Sequence, residues 1–396
     1  MINITNKKEC CGCTACRNIC PKDCIVMEAD NEGFLYPHVD GNKCVDCGLC
    51  EKVCPILNSE AEQPNPNQKG AIVAHKNDEI LLQSTSGGAF TAIGEYIIEN
   101  GGKVFGVEMD SNCHVHHTEV DTVPDLIKFR NSKYVQSQLD DTYRKVKSYL
   151  DKGILVCFSG TPCQIEGLRH FLHKKTYENL ILVDVVCRAV PSPMVWKSYT
   201  DFLKTQHGNL TEVRFRDKGL GYQYSTMTVK CQDGFFSRDG IESDAWLRMF
   251  FSGMIIRPSC TDCRFRRRYR HSDLTIWDCF NVSDISKSFD ETKGATRVLI
   301  HSQKGERLFD AMKKYMQYEN KDPEILIKGL TELSKSPQEH KNKQQFFADY
   351  QTMPMDKLLQ KYYPKTAKVR LKKYGRLALN KLGLDRAVKK MKRKLS

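Results

Sequence analysis

Residues 10–21 read Cys-Cys-Gly-Cys-Thr-Ala-Cys-Arg-Asn-Ile-Cys-Pro, and residues 44–55 read Cys-Val-Asp-Cys-Gly-Leu-Cys-Glu-Lys-Val-Cys-Pro. Both segments share the pattern C-x2-C-x2-C-x3-C-P, in which three cysteines wrap one iron–sulfur cluster while the fourth ligates the other cluster. The predicted ligand sets are Cys10, Cys13, Cys16 and Cys54 for one cluster, and Cys44, Cys47, Cys50 and Cys20 for the other. Residues 25–43 between the runs predict a hairpin that turns at residues 30–33.

Structural zinc is the alternative explanation for clustered cysteines. Zinc sites use four ligands and commonly C-x2-C pairs with wider gaps, so two copies of the longer pattern favour [4Fe–4S] clusters. Cys11 and Cys24 lie outside the spacing and are interpreted as packing residues. Residues 1–57 are therefore predicted to form a two-cluster [4Fe–4S] ferredoxin domain that transfers electrons.

Cysteine use and charge bound the class of protein. Of the eighteen cysteines in 396 residues, ten precede residue 55, which in a reducing compartment indicates metal ligands rather than disulfides. The sequence shows neither a signal peptide nor an apolar run long enough to cross a bilayer, so we expect a cytoplasmic protein. The net charge of +13 is concentrated in residues 365–396, whose net charge is +12.

After the cysteine-rich block, the pattern changes to alternating strands and helices. Residues 58–69, rich in Pro, Asn and Gln, predict a linker, and residues 70–320 predict an α/β domain. Buried strands are predicted at 154–158 and 180–186, with a helix at 164–172 between them. Residues 321–364 predict a peripheral helical region. The predicted fold class is α/β (α+β overall): a dicluster ferredoxin fold, a mixed α/β sheet domain and a basic helical tail.

Four further cysteines stand in the α/β domain. Cys163 and Cys187 each follow a predicted strand, and open α/β sheets place their sites at the carboxyl ends of strands. Cys260 and Cys263 add a C-x2-C pair. These four residues suit a third metal centre, with Fe–S and Zn both open at this point. Cys113, Cys157 and Cys231 fit buried strand positions instead.

Several motifs carry a resemblance to the coenzyme F420 hydrogenase/dehydrogenase beta-subunit family. In chain order they are Lys-Tyr-Val-Gln-Ser at 133–137, Ser-Gly-Thr-Pro-Cys-Gln at 159–164, Cys187 with the Val-Pro-Ser-Pro that begins at 190, Phe-Arg-Asp-Lys at 215–218 and Arg-Pro-Ser-Cys-Thr-Asp-Cys at 257–263. The resemblance covers roughly residues 1–305. It implies an FAD-containing iron–sulfur oxidoreductase, with a third [4Fe–4S] cluster held by Cys163, Cys187, Cys260 and Cys263 between the ferredoxin clusters and the flavin.

The flavin site is assigned from the same resemblance. The residues expected to contact the cofactor are Ser86, Gly87, Gly88, Lys133 and Asp278. The small residues at 84–88 precede a predicted helix whose amides suit a phosphate or flavin, with a simple serine N-cap as the alternative. Lys133 would neutralise a phosphate or the reduced flavin; the alternative is a solvated lysine. No catalytic residue is assigned.

Two runs depart from the family pattern. Cys-Arg-Ala at 187–189 replaces the usual Cys-His-Gly, and Trp-Asp-Cys-Phe-Asn at 277–281 replaces Gly-Asp-Phe-Trp-Gly, retaining only the acid. These changes leave open whether FAD or coenzyme F420 is bound. Many bacterial relatives of this kind look like partners of surface-polysaccharide synthesis.

The leading functional hypothesis is a flavin-dependent enzyme that passes electrons from a low-potential donor, such as reduced ferredoxin, to a small-molecule acceptor. The alternatives are a non-enzymatic electron-transfer adaptor that has lost flavin chemistry, and an accessory protein of polysaccharide synthesis. No specific nucleic acid is expected as a partner.

The basic tail at residues 365–396 has apolar residues at helical spacing. They are Ala367, Leu371, Tyr374, Ala378 and Leu382, followed by Leu384, Val388, Met391 and Leu395. A basic amphipathic helix suits the anionic inner surface of the cytoplasmic membrane. A solvated tail and nonspecific nucleic-acid binding are the alternatives. His114, His116 and His117 are interpreted as mostly solvated histidines.

Overall fold

The structure is a computed structural model, and it describes residues 1–384. The strands are β1 (Ile25–Ala29), β2 (Leu35–Val39), β3 (Lys69–His75), β4 (Lys103–Met109), β5 (Val115–Val120), β6 (Val156–Gly160), β7 (Leu180–Val185), β8 (Leu210–Asp217), β9 (Thr226–Cys231), β10 (Phe236–Asp239), β11 (Leu274–Asp278), β12 (Thr296–Ile300) and β13 (Met316–Asn320).

The helices are α1 (Ala15–Ile19), α2 (Leu49–Lys52), α3 (Asp78–Gln83), α4 (Ala89–Glu99), α5 (Thr142–Asp151), α6 (Pro162–Phe171), α7 (Pro193–His207), α8 (Ala245–Phe251), α9 (Val282–Ile285), α10 (Gln303–Met312), α11 (Pro323–Ile327), α12 (Lys343–Tyr350), α13 (Met355–Tyr362) and α14 (Ala367–Lys381). Within residues 1–384, each helix is too short or too polar to cross a lipid bilayer.

The N-terminal module contains the hairpin that the sequence predicts. Strands β1 and β2 pair antiparallel with Ile25 opposite Val39, and Gly33 takes the positive φ of 80° that the turn requires. Each cysteine loop leads into a short helix, α1 or α2, and the two helices pack together.

The body is built on a mixed eight-stranded sheet in the order β13-β3-β12-β11-β7-β6-β4-β5. Strands β11, β7, β6 and β4 run parallel, so their carboxyl ends meet at one edge. Helices α4 and α10 cover one face, and α5 and α6 cover the other face, where they share a core with the cysteine-rich module. The N-terminal module therefore packs directly on the α6 side of the sheet.

A smaller antiparallel sheet, β10-β9-β8, forms a second core with α7 and α8. Residues from α12 and α13 enter this core, since Phe346 and Leu358 are buried. Residues 321–364 are helical as predicted, but they contribute to the core rather than lying only at the periphery. Their apolar residues find partners in strands distant in sequence, which helical periodicity does not reveal.

Two other segments, one strand and the linker, differ from the prediction. The strand predicted at 154–158 occupies Val156–Gly160, because Thr161 and Pro162 start α6 immediately afterwards. The linker at 58–69 is docked on the body: the side-chain amide of Asn65 donates to the carbonyl of His301 at 2.7 Å.

Candidate iron–sulfur and flavin site

The second predicted ligand set lines a single cavity of the N-terminal module. This outer site comprises Cys20, Cys44, Cys47 and Cys50. Its walls include the apolar side chains of Ile25 and Leu49, and the backbone amide of Ile2 donates to Cys50 Sγ at 3.4 Å. Cys47 is exposed, so the outer site reaches the protein surface. Four thiols around an apolar cavity fit a cubane cluster in donor chemistry.

Cys24 also lines this cavity, with its Sγ 3.3 Å from Cys20 Sγ. Its interpretation as a packing residue therefore misses a thiol–thiol contact. Only the C-x2-C-x2-C-x3-C-P spacing favours Cys20 over Cys24 as the ligand.

The first ligand set lies deeper. This inner site comprises Cys10, Cys13, Cys16 and Cys54, and all but Cys10 are buried. Burial raises the pKa of Cys16, and the neighbouring Cys10 and Cys54 thiols raise it further. Thiols that resist ionisation together need a cation to become thiolates, because metal binding must displace their protons. The donor set thus fits an iron cluster.

The four cysteines of the body come together at the carboxyl edge of the sheet. This body site comprises Cys163, Cys187, Cys260 and Cys263. Cys163 lies in the first turn of α6, behind the capping box of Thr161 and Gln164. Burial raises the pKa of Cys187 well above its usual range, with Cys260, Cys163 and Cys263 adding to the effect. Burial likewise raises the pKa of Cys260 to about 12.

Cys11 joins the inner and body sites. Cys11 and Cys13 share one buried core, and Cys163 packs against that core. Interaction with the Cys13 thiol, together with burial, raises the pKa of Cys11 well above its usual range. Gly167 of α6 faces the same point, since a Cβ there would lie 3.0 Å from Cys13 Sγ. Helix α6 thus carries Cys163 at its start and packs against an inner-site ligand one turn later. Cys11 has no spacing signal, so the sequence assigns it only a packing role.

Arg257 anchors the same junction. It is fully buried, and its guanidinium donates to the carbonyls of Cys10 (2.8 Å) and Leu35 (2.9 Å) and to Gln136 Oε1 (3.0 Å). A fourth contact reaches Cys10 Sγ at 3.5 Å. Because Arg257 lies three residues before Cys260, one side chain ties the loop of the body site to a ligand loop of the inner site.

The small-residue segment at 84–88 leads into α4 as predicted, but no serine caps that helix. Gly88 is the N-cap, and Ser86 Oγ bonds instead to Thr296 Oγ1 at 2.7 Å. The amide of Gly87 donates to the same hydroxyl at 2.8 Å and is therefore already engaged. The serine N-cap that the sequence left open as an alternative is not formed.

Lys133 is not a freely solvated lysine. Its amine donates to the carbonyls of Lys128 (2.7 Å) and Arg130 (3.0 Å), and burial lowers its pKa to about 7. The neighbouring amide of Ser132 donates to Thr85 Oγ1 at 2.7 Å. The two segments expected to bind the flavin therefore meet in the fold.

Asp278, at the end of β11, belongs to a polar cluster that the sequence did not identify. Arg216 Nη1 donates to Asp278 Oδ2 at 2.8 Å and to the Tyr134 hydroxyl at 3.1 Å, and the Tyr222 hydroxyl donates to Asp278 Oδ1 at 3.1 Å. Arg216 Nη2 is buried without a hydrogen-bond partner. The ring of Phe280 stacks on Tyr222 at 5.0 Å. A buried donor beside aromatic rings fits an anionic, planar cofactor.

Lys218 links this cluster to residues 84–88. Its amine donates to the carbonyls of Leu81 (2.7 Å), Ser86 (2.5 Å) and Lys293 (2.6 Å). Three acceptors engage all three N–H groups of an ammonium ion. Both Arg216 and Lys218 lie in the Phe-Arg-Asp-Lys run, which was the only sequence signal for them.

The first run that departs from the family pattern, residues 187–189, lies beside the body site. Arg188 donates to the carbonyl of Phe251 at 3.3 Å and lies over its ring. Ala189 packs with Phe250 near Cys260. The substituted residues thus fill space between the body site and the aromatic side chains next to Tyr134.

Two family models match the chain. The model for the C terminus of the coenzyme F420 hydrogenase/dehydrogenase beta subunit matches residues 154–325, and the 4Fe-4S dicluster domain matches residues 9–57. These matches cover the body site and both cysteine runs.

Individual relatives cover parts of the chain. The coenzyme F420-dependent sulfite reductase of Methanocaldococcus jannaschii is 29% identical over 171 residues, which are 42% of this chain and 26% of that protein. A ferredoxin of Mycolicibacterium smegmatis is 37% identical over 81 residues, 20% of this chain and 71% of its own length. A chain of the F420-reducing [NiFe] hydrogenase complex from Methanosarcina barkeri aligns with 78% of this chain and 97% of its own, at 15% identity and a TM-score of 0.42. The chain thus spans about a quarter of the sulfite reductase.

Proposed function

The chain belongs to the coenzyme F420 hydrogenase/dehydrogenase beta-subunit family with an N-terminal 4Fe-4S dicluster domain, and we propose from this premise that it is a flavin-dependent iron–sulfur oxidoreductase. Iron–sulfur electron transfer follows from the family itself. A third [4Fe–4S] cluster at the body site, bound FAD and a small-molecule acceptor are the parts that we add.

The packing of Cys163 and Cys263 against the buried core that contains Cys11, Cys13 and Cys16 is the observation that carries the proposal. It supports an uninterrupted order of sites, from the outer site through the inner site to the body site. The exposure of Cys47 makes the outer site the one that a donor protein would reach. We propose a low-potential donor such as reduced ferredoxin, which would dock where Val45 is also exposed.

The polar cluster around Arg216 supports the flavin. Its unpartnered Nη2 would donate to a phosphate or to the flavin ring, while Asp278 fixes the guanidinium in place. Tyr134 connects this cluster to the body site, since Tyr134 and Cys260 pack against the same buried residues, which include Phe250. Ser86, Gly88 and Lys133 border the same region through Thr85 and Ser132. When bound, FAD would combine single electrons into a two-electron reduction of the acceptor.

A non-enzymatic adaptor is the second candidate function, and one observation favours it. Phe280, which departs from the family pattern, lies with its ring centroid 4.8 Å from the Arg216 guanidinium and stacks on Tyr222. The ring thus occupies space beside the donor that the flavin would use. In this role the chain would relay electrons, or serve surface-polysaccharide synthesis as an accessory protein, without flavin chemistry.

Iron and flavin counting on anaerobically purified protein tests the proposal. Three cubane sites predict about twelve irons per chain, against about eight for two sites. Cys187→Ser should lower the count to about eight, whereas Cys231→Ser, a buried cysteine outside every predicted set, should leave it unchanged. A wild-type count of about eight would contradict the third cluster.

Arg216→Met tests the flavin separately. We expect one FAD per wild-type chain, and a loss of FAD without loss of iron in the variant. Arg238→Met, which removes an arginine from strand β10, is the matched control. Twelve irons without flavin in the wild-type protein would refute the flavoenzyme and favour the adaptor.

We also propose that α14 contacts an anionic membrane surface. Its Lys373 and Arg376 pair with Asp239 and Glu242 of the body, and this holds the helix on the protein. The apolar stripe points outwards, with Leu371 74% exposed. The second apolar set, apart from Leu384, lies outside the described residues.

A further inference from the structure

The end of the β4–β5 hairpin presents carboxylates and imidazoles on one face. Glu108 lies directly opposite His116 in the antiparallel register. The amide of Asp110 donates to the carbonyl of His114 at 3.0 Å, which continues the ladder by one step. Because side chains alternate between faces along a strand, Glu108, Asp110, His114 and His116 share one face. None of them belongs to the cysteine sites.

The three residues nearest the turn are close enough to share one ion. One ligand atom each from Asp110, His114 and His116 lies within 4.8 Å of the other two. The two imidazole rings stack at 5.1 Å with an interplanar angle of 12°. Tetrahedral zinc with bonds of about 2.0–2.1 Å requires ligand atoms about 3.3 Å apart. Small side-chain rotations would therefore close the site.

The hydrogen bonds leave one ligand atom available on each residue. Gln138 donates its amide N–H to Asp140 Oδ1 at 2.8 Å, so its Oε1 accepts from His114 Nε2, also at 2.8 Å. That bond fixes the Nε2–H tautomer and leaves Nδ1 as a lone-pair donor. Imidazoles that ligate metals commonly hold their other nitrogen in this way.

Asp110 and His116 also each keep one ligand atom for the metal. Asp110 Oδ1 accepts the backbone amides of Asn112 (2.8 Å) and His114 (2.9 Å), which leaves Oδ2 to the site. His116 Nδ1 is buried and has no hydrogen-bond partner among the described residues. A buried ring nitrogen without a partner is costly unless it binds a proton donor or a metal.

We propose that Asp110, His114 and His116 form a binding site for a divalent transition metal, with Zn²⁺ as the ion that fits it best. Two imidazoles and one carboxylate match the nitrogen and oxygen preferences of zinc, and the site contains no thiolate that would favour iron–sulfur assembly. The fourth position would hold water or the carboxylate of Glu108. Bound metal would join the turn to β5, the edge strand of the large sheet.

Metal counting on the cluster-loaded full-length protein tests this site. After anaerobic dialysis against buffered micromolar Zn²⁺, the wild-type chain should retain one more zinc than the His114→Ala/His116→Ala variant. His38→Ala/His207→Ala is the control, because each of these histidines also lies near a carboxylate. Equal zinc content in the wild-type protein and the first variant would overturn the proposal.

Asp110→Asn gives a second test that preserves the fold. The asparagine Oδ1 can accept the same two backbone amides, so the turn should form, while the anionic ligand is lost. We expect at least a tenfold increase in the zinc dissociation constant, and zinc X-ray absorption of the wild-type protein should show only nitrogen and oxygen ligands. An unchanged affinity, or sulfur coordination of the extra zinc, would refute the assignment.

Discussion

Replacing Arg257 should weaken the junction between the N-terminal module and the body more than any exposed substitution. The side chain is fully buried and donates to three acceptors, the carbonyls of Cys10 and Leu35 and the side-chain oxygen of Gln136. Arg257→Met leaves these acceptors without their donor, at about 1–3 kcal/mol each. Because such losses are not additive, we expect the free energy of unfolding to fall by about 3–5 kcal/mol.

The same change should lower the reduction potential of the inner cluster. The guanidinium lies 3.5 Å from Cys10 Sγ, so a cluster bound by Cys10 would have its centre at roughly twice that distance, about 7 Å from the charge. At that distance, with an effective dielectric constant near 20, one unit charge is worth about 2.4 kcal/mol. For a one-electron couple this energy corresponds to about 100 mV. Arg257→Lys retains the charge and should restore most of the potential, but only part of the stability.

Anaerobic urea unfolding followed by circular dichroism measures the first effect, and redox titration followed by electron paramagnetic resonance measures the second. Arg307→Met removes an exposed ion pair with Glu178 and should change the free energy of unfolding by less than about 0.5 kcal/mol. If Arg257→Met were as stable as this control, or shifted no cluster potential, the structural role assigned to Arg257 would be wrong.

Three further outcomes are expected. Gly167→Ala inserts a methyl group against the inner site and should lower the free energy of unfolding by about 1–3 kcal/mol. The same variant should reduce its body cluster more slowly in stopped-flow measurements. Gly41→Ala adds a methyl group that meets no neighbour, so it should change neither the stability nor the rate. Burial lowers the pKa of His301 to about 3, so its contribution to stability is complete above pH 6.5 and is lost as the pH falls, at up to about 1.4 kcal/mol per pH unit. In urea unfolding, His301→Gln should therefore make the free energy of unfolding depend less steeply on pH between pH 6.5 and 5.5. The same pH dependence in the variant and the wild-type protein would contradict this. Leu371→Asp should abolish salt-dependent pelleting with anionic vesicles, while Ile325→Asp, at an exposed residue elsewhere, should not; equal pelleting of both would exclude α14 as the contact.

Much of the fold could be predicted where the deciding information is local. Helix α6 and the buried strands β6 and β7 each begin and end within two residues of their predicted positions. Strands β10 and β13 were not predicted, because they are edge strands whose pairing depends on distant neighbours. The buried role of α12 and α13 was missed for the same reason.

The candidate site divides in the same way. The cysteine spacing indicated where thiols are concentrated, and the family motifs pointed to Asp278. Neither could identify Arg216 Nη2 as an unpartnered buried donor, or the packing of Cys163 against the core that contains Cys11 and Cys13. Those properties depend on which side chains remain when all other hydrogen bonds have been made.

The sequence by itself determined the two cysteine runs and their dicluster domain, because a loop of seven residues brings three thiols together whatever the rest of the chain does. Only the tertiary structure decided how that domain meets the body. Gly12 takes a φ of 71° where a Cβ would lie 2.8 Å from Arg257 Nη1, and the two segments are more than two hundred residues apart. Such an approach is set by close packing of distant surfaces, and this information is absent from the local pattern of either segment.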